Sequence, residues 1–231
     1  MSKPKFPVCA KCPTRICVEN TYPDSESYNE AVPDFCPTKL DSAAIERAWK
    51  EYMQEEVREF ARLASIQEAE CYELIDGELR TKIPRIEETI QFARKMGYKK
   101  LGIVFCVGLR NEALMLTKIL EDRGFEIVSV NCKVGGIDKE KIGLKQEEKI
   151  RGPLSPESMC NPIAQAEIMN SEKPDWVIML GLCVGHDTLF IKYCKRPVTV
   201  LAVKDRVLAH NPLGALYLTQ SPYYRRLAPR K

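Results

Sequence analysis

The chain has 231 residues and a mass of 26.3 kDa, enough for one substantial domain and a small appended module. Apolar residues make up 45% and charged residues 29%, with 12 Gly and 15 Pro, which excludes disordered, fibrous and coiled-coil classes. The 35 basic and 32 acidic side chains leave a net charge of +3, too even a balance for a nucleic-acid-binding surface. No run approaches the ~18 apolar residues of a membrane span, and the N-terminal residues MSKPKFPVCAKC lack the apolar stretch of a secretory signal. A soluble, cytoplasmic protein is expected, with a small molecule or a redox partner protein to engage, and neither nucleic acid nor membrane.

Residues 1–40 carry six prolines, at 4, 7, 13, 23, 33 and 37, and sustain no helical or alternating apolar pattern. A segment without a core of its own needs a staple, and metal ligation is the candidate. From Asp41 the period changes. Asp41 or Ser42 can cap a helix in which Ile45, Ala48, Trp49 and Met53 recur at helical spacing, followed by Val57, Phe60, Ala61 and Ala64. A second helix starts near Pro84, carries Ile86, Ile90, Phe92 and Ala93, and ends before Gly97. Residues 41–97 thus read as a helical segment that precedes or covers a sheet.

From Lys99 strands and helices alternate. The run 101–105 reads as a buried strand, and Asn111 as the cap of a helix carrying Ala113, Leu116 and Leu120 that Gly124 stops. A second strand is predicted over 125–130. The polar stretch 133–159, with Gly135-Gly136, reads as a surface excursion or a lid over the site. Asn161 caps the next helix with Pro162 in its first turn; a strand over 176–180, a helix over 187–194 and a strand over 198–203 follow. This alternation predicts an α/β fold over 98–231, a parallel Rossmann-like sheet of four or more strands with helices on both faces. F-C-V-G-L-R stands after the first strand where a dinucleotide site would carry G-x-G-x-x-G, which argues against nucleotide binding.

Ten cysteines do not fit an ordinary cytoplasmic protein, and without secretion they read as metal ligands or catalytic groups rather than as disulfides. With only two histidines, any metal chemistry rests on thiolates. Cys9, Cys12, Cys17 and Cys36 give C-x2-C-x4-C-x18-C, in which two thiolates meet a metal from one tight turn and later cysteines close the shell. Cys12-Pro13 and Cys36-Pro37 resemble the Cys-Pro ending of iron–sulfur runs, yet the spacing leaves a structural zinc site open.

The second set lies in the α/β region. Cys106, Cys132 and Cys183 each follow a predicted strand, and groups past the carboxyl ends of parallel strands line the ligand crevice. Cys160 directly precedes the Asn161 cap, where the helix dipole favours a thiolate. Cys106-Val107-Gly108 and Cys183-Val184-Gly185 echo each other at two strand–helix joints. Arg110, Asn111, His186, Asp187, Lys204, Asp205, Arg206 and His210 are expected around this rim as outer-shell or substrate contacts, with His186 a candidate replacement for one thiolate. Cys71 and Cys194 fall within helical patterns and are assigned to packing.

The segments Cys9-Ala-Lys-Cys12 with Cys17 and Cys36, Phe-Cys106-Val-Gly, Gly-Leu-Cys183-Val-Gly-His-Asp and Val203-Lys-Asp-Arg-Val-Leu-Ala-His-Asn-Pro212 resemble an uncharacterised family of cysteine-rich proteins of anaerobic bacteria and archaea. The resemblance covers almost the whole chain. It implies metal binding and no particular activity.

Three functions follow as expectations. The first is an iron–sulfur protein with two cysteine-ligated sites, of the 4Fe-4S kind, acting in electron transfer or in reductive or desulfurising chemistry on a small molecule. The second is a zinc-binding protein with a structural, sensing or storage role. The third is a thiol enzyme whose nucleophile is Cys106 or Cys183.

Overall fold

The computed structural model describes residues 6–14, 16–18, 26–221 and 227; Pro4 and Pro23 lie outside them. The chain divides into two compact units, residues 1–66 and 67–231, a boundary inside the stretch read as one helical segment.

In the first unit, 3-10 turns at Cys9–Lys11 and Ile16–Val18 are followed by α1 (Glu26–Ala31), α2 (Pro37–Leu40), α3 (Ser42–Tyr52) and α4 (Glu55–Glu70), the last continuing into the second unit. The N-terminal module has a small core after all: Tyr28, Val32 and Cys36 are buried together. Asp41 is the cap of α3, its Oδ1 accepting from the Ala44 N–H at 3.0 Å. The helical period of 45–64 is real but interrupted, because the chain breaks at Met53-Gln54 between α3 and α4.

The second unit begins with a hairpin absent from the sequence reading, β1 (Tyr72–Ile75) paired antiparallel with β2 (Glu78–Thr81). Its two-residue turn is Asp76-Gly77, both at positive φ (52° and 81°), the conformation that matches the twist of the flanking strands. Then come α5 (Arg85–Lys95), β3 (Lys100–Phe105), α6 (Arg110–Asp122), β4 (Glu126–Asn131), α7 (Pro162–Glu172), β5 (Trp176–Leu180), α8 (His186–Tyr193), β6 (Val198–Ala202) and α9 (Leu213–Leu218).

The sheet has four parallel strands in the order β4-β3-β5-β6, as the α/β reading requires. Helices cover both faces. Val104, Val177 and Met179 pack with Ala166 and Met169 of α7 and Phe190 of α8, while Phe105 and Leu180 turn the other way onto Leu109, just before α6, and Ala113 of α6. A strand buried on both faces has no polar side to alternate, and every residue of β5 is buried. Close approach of α7 to β3 requires Gly102, where a Cβ would stand 2.7 Å from Met169 Sδ.

Three local expectations need correction. Asn111 is not a cap: a 3-10 turn at Val107–Leu109 leads directly into α6, with Leu109 in the cap position and no side-chain cap. Cys71 and Cys194 lie just past the ends of α4 and α8 rather than within helices, each thiol donating to a carbonyl, Gln67 O and Arg196 O. Residues 133–159 are not featureless: 3-10 turns at Lys139–Ile142, Gln146–Glu148 and Gly152–Leu154 lie between the paired ends Asp138 and Ser158. No helix among the described residues is long and apolar enough to cross a membrane.

Candidate metal centre

The strand order creates the site. From β3 the chain crosses to β4 on one side, then returns over β3 to β5 and on to β6, so the connections diverge between β3 and β5. In open α/β sheets ligands bind at this switch point, outside the carboxyl ends of the strands. Cys106 follows β3 directly and Cys183 follows β5, so the two flank it. Cys132 follows β4, and its carbonyl accepts from Asn161 N–H at 2.7 Å, which brings Cys160 to the same edge. Asn161 also caps α7 as expected, its Oδ1 accepting from Ala164 N–H at 3.1 Å.

The four cysteines belong to one packed cluster, Cys106 and Cys132 buried within it and Cys160 and Cys183 packed against it. Their titrations are linked pairwise, Cys132 with Cys106 and Cys160, and Cys106 with Cys183. Cys132 is 2% exposed and Cys106 7%; Cys160 and Cys183 are half-buried. Their electrostatic coupling runs as a chain, 183–106–132–160, closed by the charge of Cys160 acting on Cys183. Among the described residues no three His, Cys, Asp or Glu side chains surround a common point closely enough to hold a metal ion as they stand.

Their protonation differs with position in that chain. The hydrogen bond from Cys132 brings Cys106 down to about 4, against the opposing effect of burial and helped by Gly108 N–H and the Lys204 ammonium. Cys160 comes down to about 5 through its bond with Cys132, with the charges of Lys133 and His186 adding. Cys132 moves up, because it is the donor to these neighbours and is deeply buried. A thiol has one proton, so Cys132 serves one neighbour at a time. Burial and the Cys106 charge push Cys183 up, and Arg206 partly offsets them.

Backbone donors orient the sulfurs. Val107 N–H donates to Cys132 Sγ at 3.3 Å. The paired Cys-Val-Gly joints differ in backbone: Gly185 is the cap of α8 at φ 83°, whereas Gly108 sits inside a 3-10 turn. Gly181, at φ 69°, is where the chain leaves β5, and a Cβ there would stand 2.1 Å from Leu109 Cδ1.

The polar rim residues separate into two groups. Arg206 Nη2 donates to Cys183 Sγ at 3.0 Å. Lys204 Nζ and Cys106 Sγ lie 3.1 and 3.9 Å from the point where a Cβ on Gly108 would sit, so both face Gly108. His186 stands beside Cys160, and its Nδ1 is buried with no hydrogen-bond partner. The others are occupied elsewhere or point outward. Asp205 Oδ1 accepts from the N–H groups of Val207 and Leu208, and its own N–H donates to His210 Nδ1 at 3.2 Å, so both build their own turn. Asp187 Oδ1 accepts from Thr188 N–H at 2.7 Å, and Arg110 is exposed in the first turn of α6.

Two residues were not singled out by sequence. Lys133 donates to the Ser158 carbonyl and its charge acts on Cys160; its adjacency to Cys132 was the available signal. Gln165, fully buried on α7, donates Nε2 to Phe105 O and Val130 O, tying together the ends of β3 and β4 beneath Cys106 and Cys132. Nothing in the local pattern marks it.

The first-unit cysteines are partly assembled. Cys9 and Cys12 share one 3-10 turn, Cys12 N–H donating to Cys9 O at 3.0 Å. Tyr28 Oη lies 3.7 Å from Cys17 Sγ and 3.8 Å from Cys36 Sγ. Burial pushes Cys36 up, but the Thr38 and Lys39 N–H groups and the hydroxyls of Thr38 and Tyr28 outweigh it and hold the thiol below its usual value.

The fold and the site define an α/β protein with a thiol-lined crevice at the switch point of its sheet. The chain belongs to the DUF1847 family, described as of unknown function, whose profile matches residues 36–201. That span holds all four crevice cysteines and Cys36, while Cys9, Cys12 and Cys17 precede it. An uncharacterised protein of the archaeon Methanocaldococcus jannaschii is 47% identical over 168 residues, 73% of this chain and 84% of its own.

Proposed function

We propose that the protein binds metal through its two cysteine sets, with an iron–sulfur centre of the 4Fe-4S kind on Cys106, Cys132, Cys160 and Cys183. Its role is electron transfer or reductive or desulfurising chemistry on a small molecule. The observation that carries this reading is that four cysteines from three strand–helix connections gather in one cluster at the switch-point crevice of a parallel sheet.

The donor set fits such a group. All four donors are sulfur, the chemistry that selects iron–sulfur clusters and zinc. The Val107 N–H already donates to the Cys132 sulfur and the Gly108 N–H favours the Cys106 thiolate, the outer-shell arrangement that orients thiolate ligands. A single zinc ion needs four donors at about 2.3 Å from one centre, whereas a cubane offers separate irons at separate corners. That no three of the described side chains converge on one point supports the second geometry.

A bound cluster would supply one-electron transfer, and Lewis acidity at any iron left without a protein ligand. The chain's own part is to hold the sulfurs at the strand ends, to keep water from Cys106 and Cys132 by burial, and to present His186 at the Cys160 side. The Cys9, Cys12, Cys17 and Cys36 set forms the second site in this reading.

The test is iron, acid-labile sulfide and zinc analysis on anaerobically purified protein, with Cys9→Ser and Cys183→Ser beside it. Iron and sulfide in the intact protein, lost in part by each variant, support two clusters. A colourless protein carrying zinc alone ends the redox reading and leaves a structural, sensing or storage role.

A further inference from the structure

Three cations meet three different thiols of the crevice. Arg206 donates to Cys183, the Lys133 ammonium lies near enough for its charge to act on Cys160, and Lys204 faces Cys106 across Gly108. Lys133 comes from the end of β4, and Lys204 and Arg206 from the end of β6, on the far side of the sheet. The carboxylates of Asp205 and Asp187 keep their charge but are directed at N–H groups of their own loops, whereas the three cations are directed at the sulfurs. Lys133 and Lys204 are half-buried, so water screens them less than it would a fully exposed side chain.

Resting on the iron–sulfur reading above, we infer that Lys133, Lys204 and Arg206 are a charge-compensating shell that favours the reduced state of the crevice cluster and raises its reduction potential. Four thiolates around a cubane leave the oxidised centre doubly negative and the one-electron-reduced centre triply negative. Three cations match the reduced form one for one. Charge near the cluster and hydrogen bonds to its sulfurs are recognised levers on its potential, and this loop arrangement applies both. None of the three touches a reacting atom; each acts through the sulfur it faces.

The experiment is an anaerobic redox titration of the full chain, followed by electron paramagnetic resonance of the reduced state. A Cys9→Ser, Cys12→Ser background assigns the signal to the crevice. Lys133→Met, Lys204→Met and Arg206→Met are each expected to shift the midpoint to more negative potential with iron content unchanged, and Lys204→Met with Arg206→Met to shift it further than either. Lys204→Arg keeps the charge and should hold the wild-type midpoint. Gly108→Ala keeps the lysine but crowds its ammonium at 3.1 Å, and should give a smaller negative shift. If a methionine variant sheds its iron, Lys204→Arg and Gly108→Ala decide the matter in its place. Unchanged midpoints in iron-loaded variants overturn the inference and leave the cluster reading standing. A wild-type protein without iron overturns the cluster reading itself.

Discussion

Arg206, beyond β6, donates a guanidinium N–H directly to Sγ of Cys183, beyond β5, across 3.0 Å. A charge-assisted bond to sulfur links two loops that have no backbone pairing at that point. It also sets Cys183 apart from the other crevice thiols, because it only partly offsets the burial that holds that thiol up.

Thiol reactivity in the metal-free protein should therefore be graded. Cys160 is held below its ordinary value, so its alkylation by iodoacetamide should rise only weakly with pH between about pH 6 and 9. Cys183 lies above its ordinary value, and its rate should climb roughly tenfold per pH unit over the same range. Arg206→Ala should slow Cys183 further at every pH. Peptide-mapped mass spectrometry reads all three, and equal rates for the two thiols would contradict the assignment.

Gly181→Ala should cost roughly 2–4 kcal/mol in chemical denaturation, because it combines a left-handed backbone with a Cβ 2.1 Å from Leu109 Cδ1. If Cys183 ligates metal as proposed, the same change should weaken metal retention, since Gly181 aims the chain that carries Cys183. Gly124→Ala, at positive φ but with open space around it, should cost about 1 kcal/mol and leave metal content alone.

Asp175 joins the start of β5 to that of β3: its Oδ2 accepts from the N–H groups of Lys99 and Lys100 at 2.7 and 2.9 Å. Burial pushes its carboxyl up, but these two donors and the Arg196 charge outweigh it and hold it below the ordinary value. A depressed folded-state value means the stabilisation is complete above the unfolded value of about 3.9 and is lost as pH falls through the folded one. Asp175→Ala should cost about 1–3 kcal/mol at neutral pH, and the gap to wild type should close only in strong acid. Urea midpoints measured across pH check both statements.

The 133–159 excursion should resist proteolysis. Lys149, its side chain 2% exposed, is held by Glu140 and by Asp138 at 3.8 Å, and Lys139 pairs with Glu157 at 3.0 Å. Lys149→Ala leaves two carboxylates without their shared cation. The expected result is new cleavage between 138 and 157 under limited proteolysis, with roughly 1–2 kcal/mol of local stability lost, discounted for the exposure of the two partners. Equal cleavage of the wild type would restore a loosely held lid.

Much of the fold was legible because its signals are local. Apolar runs too short for helices marked the four parallel strands, and Asn161-Pro162 marked the start of α7 within a residue. Asp76-Gly77 between Tyr72–Ile75 and Glu78–Thr81 was an equally local hairpin signal, obscured by the helical segment read across it. Asn111 misled because a side chain suited to a cap is used only if the preceding backbone is extended, and a 3-10 turn occupies that place.

By itself, the sequence determined that four cysteines lie just past strand ends or just before a helix, since strand ends and caps are properties of neighbouring residues. Only the tertiary structure decided that these cysteines gather in one cluster. Strand order is set by which faces the crossing helices must bury, and no local period encodes it. The order β4-β3-β5-β6 places Cys106 and Cys183 on either side of the switch point and leaves Cys132 at the end of the adjoining strand. The same order delivers Lys204 and Arg206 from one side and Lys133 from the other, so that residues up to 73 positions apart, Lys133 and Arg206, surround one set of sulfurs.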